Sequence, residues 1–214
     1  MIILLRKLKR NLSDYGIWIA IAKSLGFIIK PIYEKQTYII FFNELDHFQD
    51  HSFRNDNFTY KFINKNDAEI IKQIEGREEW LHNKLVNKLN KDCICLVALY
   101  DKKVVSFFLV NLNELYIPLI HFKRSLRSNE CYGDQITVDK IYRGTGLASS
   151  LRIRMFKELR KRGIKKLYGG TLISNIATRK STTKFGYKYL ADVSYFKFLM
   201  RKSVRLRRIR RHIY

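Results

Sequence analysis

A chain of 214 residues with 46% apolar side chains is long enough for one domain with an appendage, which excludes disorder and any need for disulfide or metal staples. The formal charge of +23, from 42 Lys and Arg against 19 Asp and Glu, predicts an anionic partner without selecting one. Nucleotide-linked compounds, acidic carrier proteins, anionic membrane and nucleic acid all qualify, as does a lysine-rich composition with no single partner. Three cysteines, with Cys93 and Cys95 two apart on a predicted strand, fit neither a disulfide framework nor a zinc site. The expectation is reduced thiols in a cytoplasmic protein, and the Lys, Asn and Ile richness looks bacterial.

Residues 1–36 read as a basic and apolar helical appendage. Leu4, Leu5, Leu8 and Leu12 recur at helical spacing with Arg6, Lys7, Lys9 and Arg10 beside them, the pattern of a helix on an anionic membrane surface. Residues 17–29 are apolar apart from Lys23 and Ser24, but too few to span a bilayer, which takes about 20. Lys30, Pro31, Ile32 and Tyr33 do not make a signal cleavage site. Three readings stay open: contact of residues 1–30 with the inner face of the membrane, packing on the chain's own core, and a signal or anchor.

From residue 37 the composition changes. TYIIFFNEL and FTYKFIN are rich in β-branched and aromatic residues and read as strands. Between them His47 and His51 have the i, i+4 spacing of a metal pair, but the Asn and Asp density makes a loop, so no metal is expected. Residues 66–91 read as helical, with Ile70, Ile71, Ile74, Leu81, Leu85 and Leu89 apolar and a break near Gly76. CICLVALY and VVSFFLVN form a hairpin about a charged turn at 101–103. Residues 112–128 then read as a long excursion containing Tyr116, Pro118, His121, Lys123, Arg124 and Arg127, where ligand recognition is expected.

The central stretch is residues 142–148, YRGTGLA. Upstream, Ile136, Thr137 and Val138 look like the end of a strand; downstream, Leu147, Leu151, Met155 and Leu159 repeat every fourth residue along one helix face. A strand entering a helix through Gly144 and Gly146 presents free backbone N–H groups at the positive end of the helix dipole, which is a phosphate site. Glycine at these positions keeps β-carbons away from a bound pyrophosphate and admits positive φ. Arg143 adds a planar donor of fixed charge. The spacing is neither GxxxxGK[ST] nor GxGxxG. KKLYGGTLI reads as the next strand, Asn175 opens a short helix that ends at Phe185, Gly186 and Tyr187, and residues 193–200 form a last strand.

Arg-x-x-Gly-x-Ala after a strand resembles the coenzyme A loop of the GCN5-related N-acetyltransferase (GNAT) family, and Asn175 with Gly186 eleven residues later keeps a second spacing of that family. The resemblance covers residues 37–200. It implies a mixed α/β sheet with helices on both sides and two central parallel strands, ending at Val138 and near Leu172, that splay apart around the pantetheine arm of acetyl-CoA. The implied cofactor contacts are Ile136, Val138, Arg143, Gly144, Thr145, Gly146, Leu147, Ala148 and Asn175, with the Val138 N–H as oxyanion donor. Gly169 and Gly170 fit close approach of another backbone or a ligand.

The implied reaction is acyl transfer from acetyl-CoA to a primary amine of a small acceptor, without metal. The base is sought on the central strand, where alternation puts Glu130, Tyr132, Asp134, Ile136 and Val138 in one series. At ~3.3 Å per residue Asp134 is roughly 13 Å from Val138 and Glu130 roughly 26 Å, so Asp134 is the better candidate. His121 is the second, because imidazole titrates near neutrality. Thr182 stands where the family often has a tyrosine acid, and its hydroxyl can at most position a water or the sulfur. An amino sugar on a nucleotide or lipid carrier, as in surface polysaccharide synthesis, would explain a basic surface and a membrane-leaning N-terminus. The competing reading is a degenerate GNAT domain that binds membrane or, less favoured, nucleic acid. Residues 201–214 carry a run of Arg and Lys and read as a solvated basic tail, with anionic membrane its next reading.

Overall fold

The computed structural model describes residues 33–47, 57–77, 85–89, 92–118, 122–198 and 201–207. The helices expected within residues 1–32, His51, His121 and residues 208–214 lie outside these. The described strands are β1 (Tyr33–Glu44), β2 (Thr59–Ile63), β3 (Cys93–Tyr100), β4 (Lys103–Asn111), β5 (Glu114–Ile117), β6 (Phe122–Ser125), β7 (Glu130–Val138), β8 (Lys166–Leu172), β9 (Lys188–Phe198) and β10 (Arg201–Arg207). The helices are α1 (Ala68–Arg77), α2 (Leu85–Leu89), α3 (Leu147–Lys161) and α4 (Ile176–Lys184). Eight strands form one sheet in the order β10-β9-β1-β8-β7-β4-β3-β2, and β5 with β6 makes a separate hairpin. In the large sheet β7 and β8 pair in parallel and the other neighbours antiparallel, which is the mixed sheet expected.

Helix α3 exists because its apolar stripe has somewhere to go. Leu147, Leu151, Met155, Phe156 and Leu159 are all buried against β3, β4, β7 and β8, each contributing roughly 1.5–3 kcal/mol of burial. Helices α1 and α2 cover the other face of β3 and β4 through Ile71, Ile74 and Leu85. The same face of β1, β8 and β9 is covered by Leu115 and Ile117 of the β5–β6 hairpin. The β3–β4 connection is a two-residue turn in which Asp101 and Lys102 both take positive φ, 47° and 61°, matching the twist of the flanking strands.

Three expectations change. The boundary between residues 36 and 37 falls inside β1, since Tyr33 to Gln36 pair with β9 like the rest of that strand. Residues 201–207 are not a solvated tail but the edge strand β10, paired with β9 from Arg201↔Phe198 to Arg207↔Asp192. The exposed Arg201 and Arg205 suit an edge, because charged side chains discourage further strand pairing. Residues 112–118 and 122–125 form an ordered hairpin where a long loop is expected: Leu115 and Ile117 alternate into the core, Lys123 pairs with Glu114 at 2.7 Å, and Arg124 pairs with Glu130.

Candidate active site

β7 and β8 are held together at one end and open at the other. Their parallel pairing runs from Glu130↔Lys166 to Tyr132↔Tyr168 and then stops, although β7 continues to Val138 and β8 to Leu172. The closed end is clamped by Glu130, whose carboxylate accepts from Arg124, from the Tyr168 hydroxyl at 2.9 Å and from the Arg127 N–H at 3.2 Å. Burial alone would raise the Glu130 pKa, but these three donors outweigh it and hold the carboxyl below its ordinary value.

The opening begins at a β-bulge. On β4, Leu109 pairs with Gln135 and Val110 with Gly133, so Asp134 is an extra residue with no partner across the ladder. This overturns the single series expected along β7. Tyr132 packs with the hairpin side of the sheet, whereas Ile136 and Val138 pack on the α3 side with Cys131. One inserted residue reverses every side chain beyond it.

The backbone beyond the bulge is turned toward the gap. Asp139 donates its N–H to Val105 O on the β4 side at 2.9 Å, so alternation along the strand directs the N–H groups of Val138 and Ile136 the other way. No strand among the described residues pairs with them there. The gap holds a cavity of about 400 Å³, within the range of small-molecule sites. Asp134, Gln135 and Ile136 line it from β7, Gly169 to Leu172 from β8, Asn175, Thr178 and Thr182 from the start and body of α4, and Arg152 from α3. Tyr38 and Phe41 of β1 are also part of its wall. They give the close approach expected at Gly169 and Gly170 a neighbour within the chain: a β-carbon there would lie 2.4 Å from the Phe41 ring and 2.2 Å from the Tyr38 ring, and both glycines also line the cavity.

Past Val138 the chain makes one 3-10 turn, Lys140–Tyr142, and reaches the glycine loop. Gly144 and Gly146 have φ of +84° and +83°, a conformation costly to any residue with a β-carbon, while the space beside each is open. Gly146 is the N-cap of α3 and has no side chain to satisfy the helix's first donors. The amides of Leu147, Ala148 and Ser149 therefore have no acceptor among the described residues. Arg143 is exposed and its Nε donates to Val138 O at 3.3 Å, and the Thr145 hydroxyl donates to Tyr142 O at 2.8 Å.

Asp134, Ile136, Asn175 and Thr182 are thus brought to one cavity, with Val138 and residues 143–148 following along the same strand and loop. His121 lies outside the described residues. Asp134 receives Lys88 Nζ on Oδ2 at 3.1 Å, both side chains being about one quarter exposed. Asn175 caps α4 by accepting from Thr178 N at 3.1 Å, and Thr182 is buried with its hydroxyl donating to Arg179 O at 2.8 Å.

Sequence reasoning missed Arg152. Only 5% exposed, it donates from Nη1 to Ser181 Oγ and lies 5.3 Å from the centroid of the Phe185 ring. No carboxylate among the described residues pairs with it. Burial pulls its pKa below the ordinary arginine value, an effect the nearby Tyr187 partly offsets. The signal was present: Arg152 stands four residues before Phe156 and seven before Leu159, on the buried face of its helix. Among the described residues no cluster of His, Cys, Asp and Glu could hold a metal, and no helix is long and apolar enough to cross a membrane.

The acetyltransferase (GNAT) family profile matches residues 46–187. No curated protein matches by sequence. Among solved structures, a conserved protein of unknown function from Staphylococcus epidermidis superimposes with a TM-score of 0.56 at 12% identity, covering 86% of this chain and 66% of that one. The glucosamine N-acetyltransferase region of a fungal multi-domain β-N-acetylglucosaminidase also gives 0.56, at 14% identity, covering 83% of this chain and 23% of that one. An aminoglycoside N-acetyltransferase in complex with CoA gives 0.50 at 16% identity, over 64% of this chain and 92% of that one. These similarities concern the fold, whereas the family match spans most of the chain, including the glycine loop, both splayed strands and α4. The chain belongs to the acetyltransferase (GNAT) family, which uses acetyl-CoA.

Proposed function

We propose that the protein transfers an acetyl group from acetyl-CoA to a primary amine of a small acceptor. The observation that carries this reading is the end of β7–β8 pairing at Tyr132↔Tyr168, with the Ile136 and Val138 amides turned into the gap. The pantetheine arm takes the place of the missing strand pairing. The loop amides from Gly144 to Ala148, with Arg143 and Thr145 at the rim, hold the pyrophosphate at the head of α3. The Val138 N–H faces the thioester oxygen, an oxyanion contact worth on the order of 3 kcal/mol at the transition state. Asn175, whose Oδ1 is used in capping, offers its Nδ2 to the pantetheine amides.

The acceptor nitrogen loses its proton to Asp134 through water and attacks the thioester carbonyl directly. Asp134 lines the gap at the bulge of β7. An amino sugar is the acceptor to test first: two structural relatives are named for glucosamine and for aminoglycosides, and a lipid-linked sugar would suit contact of residues 1–30 and 201–214 with anionic membrane. Release of free coenzyme A, followed by a thiol reagent across a panel of amino sugars, aminoglycosides and simple amines, tests the reading. Saturable release with at least one amine is expected. Tight acetyl-CoA binding with no release from any amine would instead favour a binding module.

A further inference from the structure

Resting on that reading, we propose that Arg152 receives the negative charge of the departing coenzyme A thiolate, the task that the side chain of Thr182 cannot perform by donating a proton. The guanidinium is buried in the wall of the cavity between the splayed strands, with one nitrogen on Ser181 Oγ and no carboxylate beside it among the described residues. A buried cation is ordinarily paired, and five guanidinium N–H groups are not satisfied by one hydroxyl. The reaction brings an anion into this cavity. Acetyl-CoA enters with a neutral thioester; coenzyme A leaves as a thiolate. A fixed cation in that wall therefore binds the transition state and the product more strongly than the reactant, which is the condition for raising the rate.

Thr182 lines the same cavity, next in sequence to the serine that Arg152 holds. Its own proton is engaged with Arg179 O, and an aliphatic hydroxyl is far too weak an acid to protonate a thiolate. The step balances without a protein acid. The amine nitrogen forms a bond to the carbonyl carbon, the C–S bond breaks with its electron pair going to sulfur, and the amine proton departs through water to Asp134. Arg152 keeps all its protons, and the released thiolate takes one from water.

The test compares coenzyme A with desulfo-coenzyme A, in which hydrogen replaces the thiol, by calorimetric titration of the full chain from pH 6.5 to 9.5. Wild type, Arg152→Met and Arg152→Lys are measured, so that no acceptor is needed. Wild type is expected to favour coenzyme A at high pH by at least tenfold, with the preference appearing below the thiol pKa of free coenzyme A in the same buffer. Arg152→Met should lose the preference and its pH dependence while holding desulfo-coenzyme A within about threefold, and Arg152→Lys should retain part of it. Should the Met variant fail to fold, the wild-type pH profile and the Lys variant decide. Equal affinity of wild type for the two ligands at every pH, or a preference undiminished in Arg152→Met, overturns the proposal while leaving cofactor binding intact. No binding of either ligand by wild type would overturn the cofactor reading beneath it.

Discussion

Asp134 lines the cavity at the bulge of β7, where the alternation of a regular strand breaks and Ile136 and Val138 change face. Sequence spacing prefers it to Glu130 by distance along a regular strand, and a bulge leaves no mark in a pattern of alternating side chains. Glu130 is instead spent on Arg124, Arg127 N and Tyr168 at the closed end of the strands. Replacing Asp134 with Asn should lower kcat by about 10²–10⁴ while leaving the acetyl-CoA dissociation constant nearly unchanged, measured by steady-state kinetics beside calorimetry. An unchanged kcat would remove Asp134 from the proton path. Arg152 was legible only as an anomaly, a charge on an otherwise apolar helix face. Lys88, which pairs with Asp134 from a distant helix, could not be placed by any local signal.

At the level of elements, the strand, glycine loop and helix were readable because each carries a local rule: β-branched residues, then positive φ, then an apolar four-residue repeat. Gly146 separates two requirements that glycine can serve. Its missing β-carbon would meet nothing within 4 Å, so a small substitution is strained through its φ of +83° alone. Gly146→Ala should therefore destabilise the unliganded protein by about 1–2 kcal/mol, and Gly146→Asn by less, since asparagine tolerates this region better. Urea unfolding checks both, and equal losses would contradict the backbone account. Gly170 is the converse case, with ordinary φ but the Tyr38 ring in the way; Gly170→Ala should cost about 1–3 kcal/mol by overpacking. The sequence marked Gly169 and Gly170 as places of close approach, but not what approaches, because the neighbour comes from β1, more than a hundred residues earlier. Edge strand β10 was missed for a related reason: a basic run looks like a tail until its partner β9 is known.

Across the whole molecule, β7 and β8 are closed at one end and open at the other, so the fold and the proposed activity share one pair of strands. The closed end should make stability sensitive to acid. Glu130 has a folded pKa below its unfolded value, so its contribution is complete above the unfolded value, near 4.3, and is lost as pH falls through the folded one. Glu130→Gln should be about 1–3 kcal/mol less stable than wild type at pH 7, with the gap narrowing below about pH 4 in urea midpoints. A gap independent of pH would mean that Glu130 acts through shape alone. At the open end, the gap and the glycine loop are proposed to hold acetyl-CoA. The most direct test is a thermal-shift titration with acetyl-CoA, run beside Gly146→Trp. Saturation at 100 times the dissociation constant adds about 2.7 kcal/mol, a rise of about 5–10 °C for a chain of this size, and the tryptophan variant should show none. No shift in wild type at any accessible concentration, or the same shift in both proteins, would contradict the account.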